Sequence, residues 1–125
     1  MKHIIIADES RASRMFIRRC LEIVGFQDVT FLEAGDGQEV LNLIREKPVV
    51  DLLVTDLDMP IMDGESLLRN VKKDPQFSSL PVLVITSAGN PAKEAELMAL
   101  GAFAILNKPV SPADLFQKLK CFIQE

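Results

Sequence analysis

The sequence predicts an α/β protein, a doubly wound five-stranded parallel sheet with five helices on its two faces. Three observations lead there. Short runs rich in Ile, Val and Leu recur five times, segments with apolar residues at helical spacing separate them, and no linker or low-complexity stretch breaks the alternation. Runs that are apolar throughout suit strands covered on both faces, which is the setting of a parallel sheet.

The first strand is read at His3–Ala7, and Ser10 is the cap of the helix behind it, whose predicted inward face is Phe16, Cys20 and Ile23. Val29–Ala34 is the second strand, followed by Asp36 as cap and by Val40, Leu41 and Ile44 at helical spacing. Leu52–Thr55 is the third, leading to Asp63 as cap of a helix with Leu67, Leu68 and Val71 inward. After the fourth strand, Val82–Ile85, Asn90-Pro91 gives a cap with proline in the first turn, and Gly101 closes that helix. Phe103–Leu106 is the fifth strand; Ser111-Pro112-Ala113-Asp114 then forms a capping-box pattern ahead of Leu115, Leu119 and Phe122.

Composition bounds the function. A chain of 125 residues is expected to form one domain, residues 1–125. The net charge of −4 argues against nucleic-acid binding as a main activity. No apolar run nears the ~18 residues of a membrane span, and the N-terminal run Ile4–Ala7 is too short for a signal peptide, so a cytoplasmic location is the expectation. Cys20 and Cys121 read as reduced thiols, and a lone histidine, His3 at a strand start, leaves little room for zinc or imidazole chemistry. Arg11, Arg14 and Arg18 form a basic stripe at helical spacing, read as a solvated face with a docking surface as the alternative.

In open α/β sheets ligands bind beyond the carboxyl ends of the strands. The first strand ends in Asp8-Glu9, the third in Asp56, the fourth in Thr86-Ser87 and the fifth in Asn107-Lys108-Pro109, while the second ends in Ala34-Gly35 with no chemistry. Capping and turn formation account for Asp or Thr at any one such end. They do not account for a lysine followed at once by proline, nor for three carboxylates, a hydroxyl and an ammonium gathered at one edge. Carboxylates held close together repel unless a cation lies between them. An all-oxygen set with few protein groups suits Mg²⁺ sharing its shell with phosphate, and the hydroxyl and ammonium suit phosphoryl oxygens.

The acidic pair in 7-ADES-10, with 54-VTDLDMPIMDG-64, 81-PVLVITSAG-89 and 107-NKP-109, resembles the receiver domain of two-component response regulators, of the CheY-like single-domain type. The resemblance runs over essentially the whole chain and implies a flavodoxin-like strand order 2-1-3-4-5. It implies that Asp56 accepts a phosphoryl group from a sensor histidine kinase or phosphotransfer protein. Mg²⁺ (or Mn²⁺) would be held by Asp8, Glu9, Asp56 and the main-chain carbonyl of Asp58, with Asp8 acting through water. Thr86 and Lys108 would hold phosphoryl oxygens, and Pro109 would set Lys108 through a cis bond. Output would pass to a partner protein on the face of the fourth helix, fifth strand and fifth helix, in chemotaxis or a related process, without turnover catalysis. The chain departs from the CheY pattern in Glu9 for a second aspartate, in the extra carboxylate of Asp58, and in Ile105 for a switch tyrosine. Thr86 and the backbone around Ser87–Asn90 are therefore expected to carry most of the switch.

Three rival readings can be set against this one. Asp56-Leu57-Asp58 also suggests a haloacid dehalogenase type of aspartyl-phosphate phosphatase, although that motif usually follows the first strand rather than the third. A nucleotide-binding fold is excluded by the lack of GxGxxG and GxxxxGK[ST]. A degenerate receiver acting only as an interaction module is the third.

Overall fold

The computed structural model describes residues 1–46, 49–87 and 89–123. Its elements run β1 (His3–Ala7), α1 (Arg11–Val24), β2 (Thr30–Ala34), α2 (Gly37–Glu46), β3 (Leu52–Asp56), α3 (Gly64–Lys73), β4 (Val82–Thr86), α4 (Pro91–Ala99), β5 (Ala104–Asn107) and α5 (Pro112–Leu119), with a 3-10 turn at Lys120–Phe122. The five strands are parallel in the order β2-β1-β3-β4-β5, the order the resemblance implied.

Alternation along each strand sorts the core into two layers. On one face Ile4, Ile6, Leu52, Val54, Leu83 and Ile85 meet Ile17, Cys20 and Leu21 of α1 and Leu115 and Leu119 of α5. On the other, Ile5, Leu53, Val82, Val84 and Ile105 meet Val40 and Ile44 of α2, Leu67, Leu68 and Val71 of α3, and Leu97 of α4. Each such side chain contributes about 1.5–3 kcal/mol when fully removed from water, so the central strands are a rigid platform for whatever stands at their ends.

The helix starts behave as their sequences dictate. Ser10 accepts from the Ser13 N–H at 3.2 Å, Asp36 from Glu39 at 2.9 Å, Asp63 from Ser66 at 2.8 Å and Asn90 from Lys93 at 2.9 Å. Ser111 and Asp114 form the full capping box. Gly101, at φ +107°, closes α4 with its N–H on the Met98 carbonyl at 3.0 Å. Both cysteines are free thiols.

Four expectations need correction. The inward face of α1 is Ile17, Cys20 and Leu21, while Phe16 and Ile23 are 52% and 62% exposed. One residue is about 100° of helix, and the row from Ile17 to Leu21 outweighs the one from Phe16. The second strand is not covered on both faces, because β2 is a sheet edge with Thr30 and Glu33 exposed. Strand ends shift by one residue, so that Asp56, Thr86 and Asn107 are the last residues of β3, β4 and β5. In the basic stripe Arg11 and Arg18 are exposed as expected, Arg18 lying over the Phe31 ring at 5.0 Å, but Arg14 is half-buried and pairs with Glu33 at 2.8 Å. The β2 edge supplies the partners that make this possible.

Candidate functional site

Parallel pairing puts the expected residues side by side. β1 and β3 are neighbours in register, Ala7 opposite Thr55, so Asp8 and Asp56 emerge together. β4 and β5 pair Thr86 with Asn107, and the Lys108 N–H donates to the Thr86 carbonyl at 2.9 Å. Counting alternately from Ile6, Val54 and Leu106, the side chains of Asp8, Asp56 and Lys108 continue the row that faces α1 and α5. Thr86 and Ile105 continue the opposite row, toward α4.

The centre of the site is one ammonium between two buried carboxylates. Lys108 Nζ stands 2.8 Å from Asp8 Oδ2 and 3.4 Å from Asp56 Oδ2. Asp8 is 1% exposed and Asp56 6%. The two carboxylates are not equivalent. Asp8 Oδ1 accepts from the Ser10 N–H at 2.9 Å, and Oδ2 also accepts from the Ser13 hydroxyl at 2.6 Å. Burial pushes its carboxyl up, but the hydrogen bonds from Lys108, Ser13 and Ser10 outweigh this and leave it below the ordinary aspartate range. Asp56 Oδ1 accepts from the Leu57 N–H at 2.8 Å. Here burial prevails: together with the Asp8 charge it raises the Asp56 carboxyl, against the pull of Lys108. Burial lowers the Lys108 ammonium, yet the hydrogen bond to Asp8 and the charge of Asp56 raise it on balance.

Two carboxylates and one ammonium leave an uncompensated negative charge in a buried place, and the donors are all oxygen. That set fits a hard divalent cation. Among the described residues no three acidic, histidine or cysteine side chains converge as a ready cage. Mg²⁺ does not require one, since it is commonly held by one or two carboxylates with several waters and phosphate oxygens.

The loop after β3 is held tightly behind Asp56. The Gly64 N–H donates to the Leu57 carbonyl at 2.8 Å, and a Cβ at Gly64 would stand 2.3 Å from the Asp56 carbonyl oxygen. Only glycine permits that approach. Asp63 serves as the cap of α3, outside the carboxylate pair.

A model of the response regulator receiver domain matches residues 4–120. The chain belongs to that family. Chemotaxis protein CheY1 of Helicobacter pylori is 31% identical over 117 residues, 94% of this chain and 93% of that protein. Chemotaxis protein CheY-3 of Vibrio cholerae is 34% identical over 116 residues, 93% of this chain and 87% of that one. Among solved structures, the response regulator CheY4 of Vibrio cholerae superposes with a TM-score of 0.83 at 28% identity, covering 98% of this chain and 99% of its own. A receiver domain from Clostridium thermocellum gives 0.83 at 29%, covering 98% and 94%. This receiver domain is thus of the CheY-like type, and its family consists of phosphorylation-dependent switches in two-component signalling rather than turnover enzymes. Members work between histidine kinases and output partners. With the family shown, the haloacid dehalogenase alternative falls away.

The remaining expected residues are placed as follows. Glu9 and Asp58 border the pair with exposed side chains. Thr86 is fully buried, Ile105 is 9% exposed, and the Lys108–Pro109 bond is cis. Ala88, within the expected switch segment, lies outside the described residues. The sequence reading missed two residues. Ser13 reaches Asp8 from the first turn of α1, and Arg14 Nη1 donates to the Asp8 carbonyl at 2.7 Å. Their only signal was a position shortly after the acidic pair, with no fixed spacing to mark it. Among the described residues no helix is long and apolar enough to cross a membrane.

Proposed function

We propose that Asp56 accepts a phosphoryl group from a phosphohistidine on a sensor kinase or phosphotransfer protein, and that the resulting aspartyl phosphate alters partner binding at the face of α4, β5 and α5. The observation that carries this reading is the single Lys108 ammonium shared by two buried carboxylates, with Asp56 the looser partner at 3.4 Å.

An ionised carboxylate needs no general base for this attack. The Leu57 N–H fixes Oδ1 at 2.8 Å, so Oδ2, which faces Lys108, is the oxygen that attacks phosphorus. The new O–P bond forms as the P–N bond to the donor imidazole breaks, and the imidazole leaves with that electron pair and takes its proton from water or a neighbouring acid. Burial keeps Asp56 desolvated and basic, which favours attack but makes the approach of an anionic phosphoryl group costly. Glu9, Asp56 and the Asp58 carbonyl, with Asp8 acting through water, would hold Mg²⁺, whose positive charge would offset this repulsion. Lys108 then exchanges a carboxylate partner for a phosphoryl oxygen, and the Thr86 hydroxyl takes a second. Thr86 belongs to the row facing α4, so a small movement there alters that face while Asp56 itself stays on β3.

The setting is proposed to be cytoplasmic, with chemotaxis or a related response as the output and no direct contact with nucleic acid. Incubation with acetyl phosphate and Mg²⁺ tests the central step: the parent gains one acid-labile phosphoryl group and Asp56→Asn gains none. Labelling of the Asn variant at the parental rate removes Asp56 from its role. A parent that takes no label makes the chain a degenerate receiver.

A further inference from the structure

Ser13 stands on the first turn of α1, and its hydroxyl has no local duty there. The helix is already capped by Ser10, whose Oγ accepts the Ser13 N–H at 3.2 Å. A serine inside a helix commonly turns its hydroxyl back to a carbonyl one turn earlier. Ser13 instead donates to Asp8 Oδ2 at 2.6 Å, the same oxygen that Lys108 reaches at 2.8 Å. Asp8 is buried, and Ser13 and Lys108 line a groove with Phe16, Ile17, Ile85 and Val110. Apolar flanks limit competing water and strengthen a charge-assisted hydrogen bond.

We propose that Ser13 is a positioning residue: it holds the Asp8 carboxylate in the orientation that takes a divalent cation, and keeps it there when Lys108 turns away. This rests on the reading that Asp8 and Asp56 share Mg²⁺. Asp8 has two side-chain donors on Oδ2, and one of them, Lys108, is the group that must leave for the phosphoryl oxygen. The Ser10 N–H on Oδ1 fixes one end of the carboxylate. Ser13 fixes the other, so the donor pattern around Asp8 survives the loss of the ammonium. Without the hydroxyl, Lys108 is the remaining one of these two donors on Oδ2, and holding the cation then competes directly with holding Asp8 in place.

The test is calorimetric titration of the intact, folded chain with Mg²⁺ alone, for the parent, Ser13→Ala and Ser13→Thr. Partners that orient metal ligands typically change affinity by 10–100-fold, so Ser13→Ala is expected to weaken Mg²⁺ binding about tenfold. Ser13→Thr keeps the hydroxyl and stays within about twofold of the parent. A merely structural serine would shift the unfolding midpoint and leave the affinity of the folded protein unchanged. Equal affinity in the parent and Ser13→Ala overturns the inference while leaving the Mg²⁺ reading standing. Equal losses in the Ala and Thr variants overturn it as well, by assigning the effect to packing. A parent with no measurable affinity for Mg²⁺ removes the metal reading itself, and the role of Ser13 with it.

Discussion

Replacing Gly64 with alanine tests how firmly the site depends on the backbone behind it. Gly64 opens α3, where alanine is by itself favoured over glycine by about 0.5–1 kcal/mol. The structure reverses that expectation. An added Cβ would stand 2.3 Å from the Asp56 carbonyl oxygen and 2.8 Å from Leu57 Cα, and both are backbone atoms that cannot rotate aside. Relief needs a shift of about 1 Å to reach ordinary carbon–oxygen separation. Overpacking of this kind costs about 1–3 kcal/mol, and opening the loop weakens the Gly64 N–H bond to Leu57, worth about 1 kcal/mol. After the propensity gain, the net loss is about 2 kcal/mol, or roughly 6–10 °C in Tm for a chain of this size. The shift falls on the residue that carries the proposed nucleophile, and a 1 Å misplacement can slow a reaction about a hundredfold. Gly64→Ala is therefore expected to lower the urea midpoint and to slow labelling by acetyl phosphate about 10–100-fold. Gly35→Ala is the control: its Cβ meets nothing closer than the flexible Glu39 carboxylate at 3.4 Å, so stability within about 0.5 kcal/mol and a parental rate are expected. Parental stability and rate in Gly64→Ala, or an equal loss in the control, refutes the steric reasoning.

Other variants probe the electrostatics and the switch. Asp56→Asn should raise stability at pH 7 by about 1 kcal/mol, because it removes a buried charge beside another of like sign. The folded Asp56 pKa is raised, so its ionisation opposes folding above that pKa; chemical denaturation across acid pH should show the gain vanish as pH falls toward the unfolded value of 3.8. Asp8 behaves oppositely: its folded pKa is lowered, so its contribution is present above 3.8 and is lost as pH falls through the folded pKa, and Asp8→Asn should flatten the acid limb of the stability curve. Glu9→Gln should weaken Mg²⁺ binding more than Asp58→Asn, because the proposed ligand at Asp58 is a carbonyl; calorimetry giving the reverse order would redraw the coordination. Thr86→Ala should uncouple partner affinity from a beryllofluoride phosphate mimic, whereas Ile105→Val should barely change it, and a strong effect at Ile105 alone would overturn the assignment of the switch to Thr86.

The fold was legible because its signals are local and repeated. HIIIA, LLVTD and VLVIT each announce a strand, and Ser10, Asp63, Asn90 and Ser111 each sit where a helix needs an acceptor. The face of α1 was misread because Phe16 and Ile17 are adjacent apolar residues, and the choice between them depends on how α1 sits against β1 and α5 rather than on spacing. Glu33 and Phe31 likewise capture Arg14 and Arg18 only because β2 is a sheet edge beside α1. A helical wheel shows Glu22 one turn from Arg18 but neither of these β2 partners.

At the site, the sequence supplied the residue types and the topology brought them together, but neither assigns unequal roles to two aspartates at neighbouring strand ends. Hydrogen bonding does. Asp8 is stitched to the first turn of α1 by Ser10 and Ser13, and its carbonyl is held by Arg14. Burial pushes its carboxyl up, but the hydrogen bonds from Lys108, Ser13 and Ser10 outweigh this and keep it a weak base, which suits a group that stays put while other charges move. Asp56 is desolvated and raised, with Oδ2 at ion-pair distance from Lys108, which suits a group that forms a bond. The lysine lies nearer to the aspartate that keeps its carboxylate free than to the one proposed to take the phosphoryl group. On the proposed chemistry, phosphorylation would require Lys108 to exchange partners rather than merely to approach. That exchange is uphill while Asp8 is the better acceptor and becomes favourable once a phosphoryl group adds charge at Asp56. The backbone N–H of Lys108 is bonded to the Thr86 carbonyl at 2.9 Å, so on this proposal a movement of Lys108 would be felt at the end of β4.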